Sequence, residues 1–432
     1  MRWTLPIILV LTAPAAVLGI ERFPPPDFDS GHSLPQTSTP PPRSLGWEIA
    51  DVAILVAALG VAAYLGLKLR SRRGVFVLGI FALIWFGFVR KGCVCAIGAV
   101  QNVSQGLGDA GVVVPGVVIA FFVAPLVFSL LWGRGFCAGV CPLGAIQDLV
   151  VIRPVQVPRW LDHSLRVLPV VYLGLAVLLA ATGSAFIICR YDPFVGFFRM
   201  SATVGMLVLG GCILLIGVFV GRPYCRYLCP YGVLLGWAAR FARWRVSITP
   251  DECIHCRLCE DACPFGAINP PTPEPAAAHR RRGKLRLAAL IVLLPVLVVG
   301  GGWVASRLSV RLARAHATVR LADRVRAEKT GLVEGTTDAS DAFYAAGRPV
   351  EALDAEAVAI RGRFRTGTWL LGGFVGLFVG LKLIGLTIRR RREDYEVDRT
   401  HCLDCGRCFR SCPREHVRLG KLQGRPAPAE AT

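Results

Sequence analysis

Long apolar segments dominate the chain and alternate with short segments rich in Lys and Arg. An α-helix needs about 20 apolar residues to cross the hydrocarbon core of a bilayer. The pattern therefore predicts an integral membrane, all-α bundle of about seven transmembrane helices. The first five apolar stretches form one membrane domain, 47–245, and the last two form a later hairpin, 285–304 and 367–388. The seven stretches are 47–67, 74–89, 112–132, 165–188, 203–220, 287–304 and 368–388.

The segments between and before these stretches have a different composition. Residues 1–20 have a basic start, an apolar run and a small-residue exit, which is typical of a signal peptide or an N-terminal anchor. Residues 21–46 are rich in Pro and predict an extended extracytoplasmic linker. Residues 305–366 have apolar positions at helical spacing and predict an extracytoplasmic helical loop of an amphipathic helix and a second, separate helix around 350–360. This loop either lies on the membrane or a partner, or docks a redox protein.

Charge changes this picture by giving the bundle an orientation. The chain is 54% hydrophobic and only 18% charged, with a formal net charge of +20. Basic clusters at 68–73, 280–286 and 389–392 flank the spans, and short cytoplasmic loops carry the Lys and Arg excess. We therefore expect a multi-pass protein of a bacterial-type inner membrane with a cytoplasmic C-terminus. Because these residues flank spans and do not cover a soluble face, they favour contact with anionic membrane lipid and not with nucleic acid.

Two cysteine runs with the spacing C-x2-C-x2-C-x3-C-P carry the most specific chemical signal. Ferredoxins use this spacing to hold [4Fe-4S] clusters, and the fourth cysteine of each run ligates the neighbouring cluster. The runs predict a cytoplasmic two-cluster, ferredoxin-like module assembled from two distant segments, 246–272 and 389–432. Zinc sites or disulfides are the alternatives, but zinc sites usually use two cysteine pairs with a longer spacer. The predicted ligand sets are Cys253, Cys256, Cys259 and Cys412 for one cluster, and Cys402, Cys405, Cys408 and Cys263 for the other.

A second kind of cysteine motif forms an internal repeat. Segments 133–144 and 221–232 share the pattern G-R-x-x-C-x3-C-P-x-G at a period of 88 residues. Each follows an inward span, so we expect both at the cytoplasmic membrane edge, and helical i, i+4 spacing places each cysteine pair on one helix face. The alternative is that these cysteines only pack as small apolar residues. The candidate ligands of a possible third metal or redox centre are Cys137, Cys141, Cys225 and Cys229.

A degenerate third copy of the repeat occurs earlier in the chain. The sequence C-A-I-G-A-V-Q at 95–101 resembles C-P-L-G-A-I-Q at 141–147. On the predicted topology this copy faces outward. Cys93, Cys95 and Cys189 are therefore candidate ligands of a metal or redox site near the outer surface, with a disulfide as the alternative.

The two C-x3-C-P motifs, combined with the two ferredoxin-type runs, resemble the membrane-bound iron–sulfur proteins of the NosR and NapH type. The resemblance covers 74–268 and the second run after Asp398. It implies an electron conduit between quinone or cytoplasmic donors and extracytoplasmic acceptors, with redox partner subunits. The eight ferredoxin cysteines are then cluster ligands, and the four repeat cysteines are the family's membrane-edge cysteines. NosR-like proteins also carry a flavin domain, but residues 335–338 match a covalent flavin site poorly, so FMN is doubtful.

Electron transfer through two [4Fe-4S] clusters is the predicted function. The alternative is a metal-handling or assembly factor that uses the membrane-edge thiols, similar to the iron–sulfur proteins of oxidase maturation. The seven histidines are scattered and no nucleophile motif is evident, so we predict a subunit of a redox complex, without catalytic residues of its own. The charges of His255, Arg257 and Arg407 in the cluster loops are expected to favour the more negative, reduced clusters.

Overall fold

The computed structural model describes residues 44–92, 95–152, 154–248, 253–272, 277–388 and 392–418. The predicted signal or anchor segment, nearly all of the linker and Cys93 lie outside the described residues. Helices dominate the described part of the chain. Five of them are long and apolar enough to cross a membrane, and two shorter apolar helices accompany them.

The helices of the membrane domain are α1 Leu45–Leu67, α2 Arg72–Val89, α3 Ala96–Gly108, α4 Gly116–Trp132, α5 Pro142–Val150, α6 Arg159–Ala181, α7 Ile187–Tyr191, α8 Pro193–Phe198, α9 Val204–Gly217, α10 Pro223–Tyr227 and α11 Pro230–Arg240. The elements that follow are α12 Leu258–Asp261, β1 Ile268–Asn269, α13 Ala277–Ser306, α14 Ser309–Ala313, α15 Ala317–Lys329, α16 Asp338–Ala345, α17 Val350–Thr387, β2 Glu396–Val397, α18 Arg407–Ser411 and α19 Pro413–Arg418.

A helix occupies each of the seven apolar stretches that the sequence singled out. These helices are α1, α2, α4, α6, α9, α13 and α17. α4 has 17 residues and α9 has 14, which is short for a span of the hydrocarbon core. Which of the seven cross the bilayer, and in which direction, stays a prediction.

The core of the membrane domain lies where α1, α2, α4 and α6 surround the shorter helices. Leu55 and Leu59 of α1 are almost fully buried, and the rings of Phe86 and Phe121 meet edge to face at 6.1 Å. A turn of π-helix at Phe136–Val140 packs into the same core, against α1 and α2. In lipid such packing is stabilised by van der Waals contact and not by the hydrophobic effect, so close fit is what holds these helices together.

The hairpin of α13 and α17 is held by a stripe of glycines. Gly372, Gly376 and Gly380 follow one another at i, i+4 spacing along α17. A Cβ atom on Gly376 would collide with the backbone oxygen of Leu297 on α13. Small residues at this spacing let two membrane helices approach closely. The hairpin in turn contacts the membrane domain, where the rings of Trp237 and Phe374 are 6.0 Å apart.

The loop between the hairpin helices folds against an extension of α17. The sequence predicted a separate helix near residue 350, but α17 runs without a break for 38 residues, roughly 57 Å at 1.5 Å per residue. Ion pairs bind this extension to α15, with Arg326 to Asp354 at 2.8 Å and Arg361 to Asp323 at 2.6 Å. The extension stays helical because its apolar side also packs on α15, through residues that include Leu353.

The two ferredoxin-type segments meet in a small module of their own. β1 and β2 form a two-stranded antiparallel sheet in which Ile268 pairs with Val397. The amide of Asp398 continues this pairing by donating to the carbonyl oxygen of Ala267 at 2.8 Å. Helix α12 of the first segment packs on α18 of the second. Residues far apart in the sequence are thereby brought to one place.

Candidate metal centres

Four cysteines from both ferredoxin-type runs line one pocket of the module. Apolar side chains, including those of Ile248 and Tyr395, form the rest of its wall together with Arg257 and Arg414. Burial raises the pKa of the Cys259 thiol to about 11, because a thiolate is costly away from water. A bound cation would reverse this shift, since it stabilises the thiolates that face it. We call the four cysteines the first thiol set: Cys253, Cys256, Cys259 and Cys412.

A second group of thiols lies beside the first. Cys263 comes from the first run but lies within electrostatic range of Cys405 and Cys408 of the second run. Burial raises the pKa of Cys263, although the amide of Ala267 donates to its Sγ atom at 3.5 Å. We call this group the second thiol set: Cys263, Cys402, Cys405 and Cys408.

The two loops have the same backbone shape. His255 and Arg257 of the first loop have positive φ angles of 53° and 64°, and Asp404 and Gly406 of the second have 52° and 71°. These residues occupy equivalent positions on either side of the second cysteine of each run. Left-handed backbone is costly for non-glycine residues and recurs at functional sites. Its repetition indicates that both loops wrap the same kind of group.

The grouping of thiols follows the crossing that the cysteine spacing predicts. The fourth cysteine of each run, Cys263 or Cys412, lies with the first three of the other run. The donor chemistry fits an iron–sulfur cluster, because each set offers four sulfur atoms in a partly buried site.

A smaller group of potential ligands overlaps the first thiol set. In the described part of the chain, only Cys253, His255 and Asp394 place three such donor atoms within 4.8 Å of one another. The imidazole Nε2 of His255 lies 3.1 Å from Asp394 Oδ1, and this imidazole is about half exposed. The group shares Cys253 with the pocket of four thiols, so the two sites are alternatives.

The four repeat cysteines lie inside the membrane domain and interact with one another. The structure differs from the expectation of two cysteines on one helix face, because a proline follows the second cysteine of each pair. Proline is favoured in the first turn of a helix, so Cys141 and Cys229 cap new helices, α5 and α11. The thiols still converge, and three of the four residues are buried. We call them the membrane thiol set: Cys137, Cys141, Cys225 and Cys229.

Hydrogen-bond donors point at three of these four sulfur atoms. Such donors orient and tune thiolates that bind a metal or a cluster. The donors are Arg134 Nη2 to Cys137 Sγ at 3.6 Å, Gln147 Nε2 to Cys225 Sγ at 3.3 Å, and the amide of Gly232 to Cys229 Sγ at 3.3 Å.

The arginine and the last glycine of the repeat fit together across the two copies. Arg222 of the second copy donates to the carbonyl oxygen of Cys137 in the first copy. A Cβ atom on Gly144 of the first copy would lie 2.9 Å from Arg222 Nη1. The reverse contact also exists, because a Cβ atom on Gly232 would lie 3.3 Å from Arg134 Nη2. Each copy of the motif therefore leaves room for the arginine of the other.

A buried charge cluster lies between the membrane thiol set and the second thiol set. Asp148 accepts from Arg222 at 2.8 Å and from Arg72 at 2.9 Å, and Arg407 lies 3.6 Å away. Arg222 is fully buried and interacts electrostatically with both Cys225 and Cys405. Three guanidinium groups around one carboxylate leave a net positive charge beside both groups of sulfur atoms. Sequence reasoning missed this cluster; its signal was a lone Asp in an apolar helix.

The cysteines of the degenerate third copy lie close to the membrane thiol set. Cys95 and Cys141 line the same apolar cavity, together with aromatic residues such as Phe86 and Phe121. Cys189 lies on α7 and is exposed, and it interacts electrostatically with Cys95. Sequence reasoning placed this copy near the outer surface, but did not foresee that it borders the other thiols.

Two family models match parts of the chain, and both are described as 4Fe-4S binding domains. One match, Fer4_5, covers residues 114–155 and 202–249, which contain the membrane thiol set. The other, Fer4, covers residues 246–269, which contain the first ferredoxin-type run.

Several curated proteins are similar to parts of the chain. Regulatory protein NosR of Stutzerimonas stutzeri is 25% identical over 245 residues, 52% of this chain and 34% of that protein. Protein NirI of Paracoccus denitrificans is 32% identical over 172 residues, 35% of this chain and 25% of that protein. The methylamine utilization ferredoxin-type protein MauN of the same species is 30% identical over 158 residues, 35% of this chain and 56% of that protein.

The chain thus covers between a quarter and just over half of the length of these three relatives. No solved structure matches it. The regions that match 4Fe-4S binding domains contain the first ferredoxin-type run and the membrane thiol set. Over these regions the chain is similar to NosR-like membrane proteins of the ferredoxin type.

Proposed function

We propose that this protein transfers single electrons between a donor at the cytoplasmic face and an acceptor at or beyond the outer face of the membrane. The observation that carries the proposal is the arrangement of three groups of four thiols. The first, second and membrane thiol sets follow one another from the module into the apolar helices. A hydrolytic or group-transfer enzyme has no need of such a series.

The two sets of the module hold one [4Fe-4S] cluster each in this proposal. Such a cluster requires four thiols in a partly apolar site. The two cysteine loops have the same left-handed backbone residues, so both can hold the same kind of cluster. The clusters supply one-electron redox chemistry when bound. The protein keeps them partly shielded from water, and shielding and hydrogen bonds to sulfur set their potentials.

The membrane thiol set holds a third iron–sulfur centre. Three observations support this assignment: the buried thiols, the donors to three of them, and the overlap with the region that is similar to 4Fe-4S binding domains. Arg222 and Arg134 hold the two copies of the repeat in register around the sulfur atoms. Their positive charge offsets the negative charge of the thiolates in a medium of low dielectric constant.

The donor and the acceptor are redox partners. The basic flanks of the spans support a cytoplasmic position for the module, where a soluble donor reaches it, while quinone reaches only the membrane helices. The folded loop of α14, α15 and α16 then lies on the opposite side of the membrane. Basic residues that contact anionic lipid stabilise this orientation.

Metal content and EPR spectra test the proposal. The full-length protein, purified anaerobically in detergent, is compared with a variant in which the four cysteines of the membrane thiol set are changed to Ser. We expect about twelve irons per wild-type chain and about eight in the variant, with [4Fe-4S]+ signals after dithionite reduction. Eight irons in both proteins would remove the third centre, and zinc in place of iron would refute the electron-transfer function.

The same samples test the metal-handling alternative. Soft thiolates also bind Cu(I), and four thiols, three of them on buried residues, suit that ion. Copper that is lost in the cysteine-to-serine variant, with unchanged iron, would favour a metal-handling role over electron transfer through this set.

A further inference from the structure

Each copy of the membrane repeat contacts the backbone of one ferredoxin-type segment through an arginine. In the first copy, Arg134 Nη1 donates to the carbonyl oxygen of Thr400 at 3.0 Å. In the second copy, Arg226 Nη1 donates to the carbonyl oxygen of Pro264 at 2.9 Å. The two copies therefore bind the two segments of the module, one segment each.

Both contacts end beside ligands of the same thiol set. Pro264 directly follows Cys263 in the chain, and Thr400 lies two residues before Cys402. Cys263 and Cys402 come from different runs, but both belong to the second thiol set. The membrane domain thus holds the second thiol set through both of the segments that build it.

A buried carboxylate orients the arginine of the second copy. Asp162 Oδ1 accepts from Arg226 Nε at 2.8 Å and from the hydroxyl of Tyr227 at 2.9 Å. Asp162 Oδ2 pairs with Arg166 Nη2 at 2.8 Å, and the same nitrogen donates to the carbonyl oxygen of Phe265 at 3.0 Å. None of the three charged side chains is more than 10% exposed, so solvent screens these contacts little. One carboxylate therefore directs two guanidinium groups at adjacent carbonyl groups of the first segment.

Close packing accompanies the two hydrogen bonds to the module. A Cβ atom on Gly221, the first residue of the second copy, would lie 2.6 Å from Pro264 Cβ. A Cβ atom on Gly236 of α11 would lie 3.1 Å from the carbonyl oxygen of Thr400. Glycine permits this close approach of one backbone to another. The module therefore packs directly on the membrane domain at both contacts.

Arg226 connects ligands of two thiol sets. It directly follows Cys225 of the membrane thiol set in the chain, and its guanidinium binds Pro264, the residue after Cys263 of the second thiol set. A shift of this side chain would change the separation of the two sets. Reacting groups must be held in a productive geometry, and a misplacement of about 1 Å can slow a reaction by about a hundredfold.

We propose that Arg226 and Arg134 are positioning residues that hold the second thiol set at a fixed separation from the membrane thiol set, with Asp162 orienting Arg226. The electron-transfer part of this inference rests on the proposed function. One electron passes from the second set, which is oxidised, to the membrane set, which is reduced. The arginines exchange neither an electron nor a proton in this step.

Arg226→Lys tests the contact while it keeps the positive charge. An ammonium group does not reproduce the planar fork with which arginine contacts Asp162 and Pro264 together. Hydrogen exchange mass spectrometry compares the full-length variant in detergent with wild type and with Arg240→Gln, which changes an exposed residue of α11. We expect the amides of residues 258–269 to exchange about tenfold faster in Arg226→Lys alone. Equal exchange in all three proteins would overturn the proposal.

Arg134→Lys is the second variant, and it carries the test if Arg226→Lys fails to fold. It weakens the contact with Thr400, so we expect faster exchange of the amides of residues 396–402. Exchange that is unchanged there would contradict the role of Arg134.

EPR spectra of anaerobic, iron-loaded samples test the separation of the two sets. Spin–spin interaction between the reduced centres of the second and membrane sets should weaken in Arg226→Lys, while iron content and midpoint potentials stay at the wild-type values. Unchanged interaction, or loss of iron from the second set, would overturn the positioning role. If the membrane thiol set of the wild type binds no iron, the proposed third centre is refuted, and hydrogen exchange alone decides whether Arg226 holds the module.

Discussion

Gly144 and Gly232 occupy the same position in the two copies of the repeat, and an arginine of the other copy lies against each. Glycine at these positions serves close approach and not a special backbone conformation. The guanidinium of Arg222 has no room to retreat, because Asp148 and two backbone carbonyls hold it. Steric fit at a single residue therefore controls how the two copies meet.

Gly144→Ala should destabilise the membrane thiol set. The added methyl group displaces Arg222, and overpacking of this kind costs about 1–3 kcal/mol. We expect a lower midpoint of thermal unfolding in detergent and loss of about four irons per chain. Gly60→Ala is the matched control, because nothing lies within 4 Å of its Cβ position. Equal iron content and unfolding midpoint in the two variants would contradict this account of the repeat.

Arg222→Gln should lower the midpoint potential of the neighbouring centres. A buried positive charge favours the reduced, more negative state, and its removal should shift the potential by on the order of 50 mV. Asp148 keeps Arg72 as a partner at 2.9 Å, so the variant leaves no unpaired carboxylate. Arg222→Lys retains the positive charge and should change the midpoint potential less than Arg222→Gln does. EPR-monitored redox titration measures the effect, with Arg311→Gln as a distant exposed control. A shift of equal size in the control would refute the electrostatic explanation.

At the scale of elements, the short sheet and the pair α12 and α18 decide which thiols meet. β1 and β2 hold the two segments in one register, so the fourth cysteine of each run faces the other run. Neither segment offers four thiols to one pocket by itself. Each thiol set therefore depends on both segments.

Serine substitution should reveal the crossing directly. Cys412→Ser and Cys256→Ser remove ligands from the same thiol set, so we expect both variants to lose or alter the same EPR signal. Cys263→Ser and Cys405→Ser should alter the other signal. Redox titration of the four single variants distinguishes the two signals by potential. If Cys412→Ser and Cys405→Ser altered the same EPR signal, all four cysteines of each run would instead ligate one cluster.

Close packing of the hairpin also supports the module, because the second ferredoxin-type segment follows α17 directly in the chain. Gly376→Leu should separate α17 from α13, since even a Cβ atom at this position collides with the backbone of Leu297. We expect lower expression in the membrane fraction and loss of iron from both clusters of the module. Gly385→Leu is the control in the same helix, because its Cβ position is open. Wild-type iron content in Gly376→Leu would show that the module does not need the glycine stripe of α17 in order to bind iron.

At the scale of the whole molecule, the thiol groups form a series. Cys259 and Cys408 link the first and second sets, Arg222 lies between the second and membrane sets, and Cys141 and Cys95 border one cavity. In proteoliposomes, the variant with the four serines in the membrane thiol set should keep reducible clusters in the module. It should nevertheless lose electron delivery from an external reductant to an acceptor inside the vesicle. Electron delivery by this variant at the wild-type rate would show that electrons do not pass through the membrane thiol set.

Sequence spacing was sufficient to group the ferredoxin cysteines but not to place the charges around them. The crossing of Cys263 and Cys412 follows from local spacing and known cluster chemistry. The contacts of Arg222 with Asp148 and with the first copy depend on how two copies of a motif pack, and no periodicity encodes this. The continuity of α17 was also missed, because an amphipathic segment next to an apolar one was interpreted as two separate helices.

The crossed thiol sets have a consequence for the order of events during synthesis of the protein. A ribosome adds about 5–20 residues per second, so the roughly 150 residues between Cys263 and Cys412 take on the order of ten to thirty seconds to make. On the predicted topology both helices of the hairpin enter the bilayer during that interval, while the first run has only part of its proposed ligand set. Under the proposed function we therefore expect iron delivery after membrane insertion, and a chain truncated before α18 should complete neither thiol set of the module.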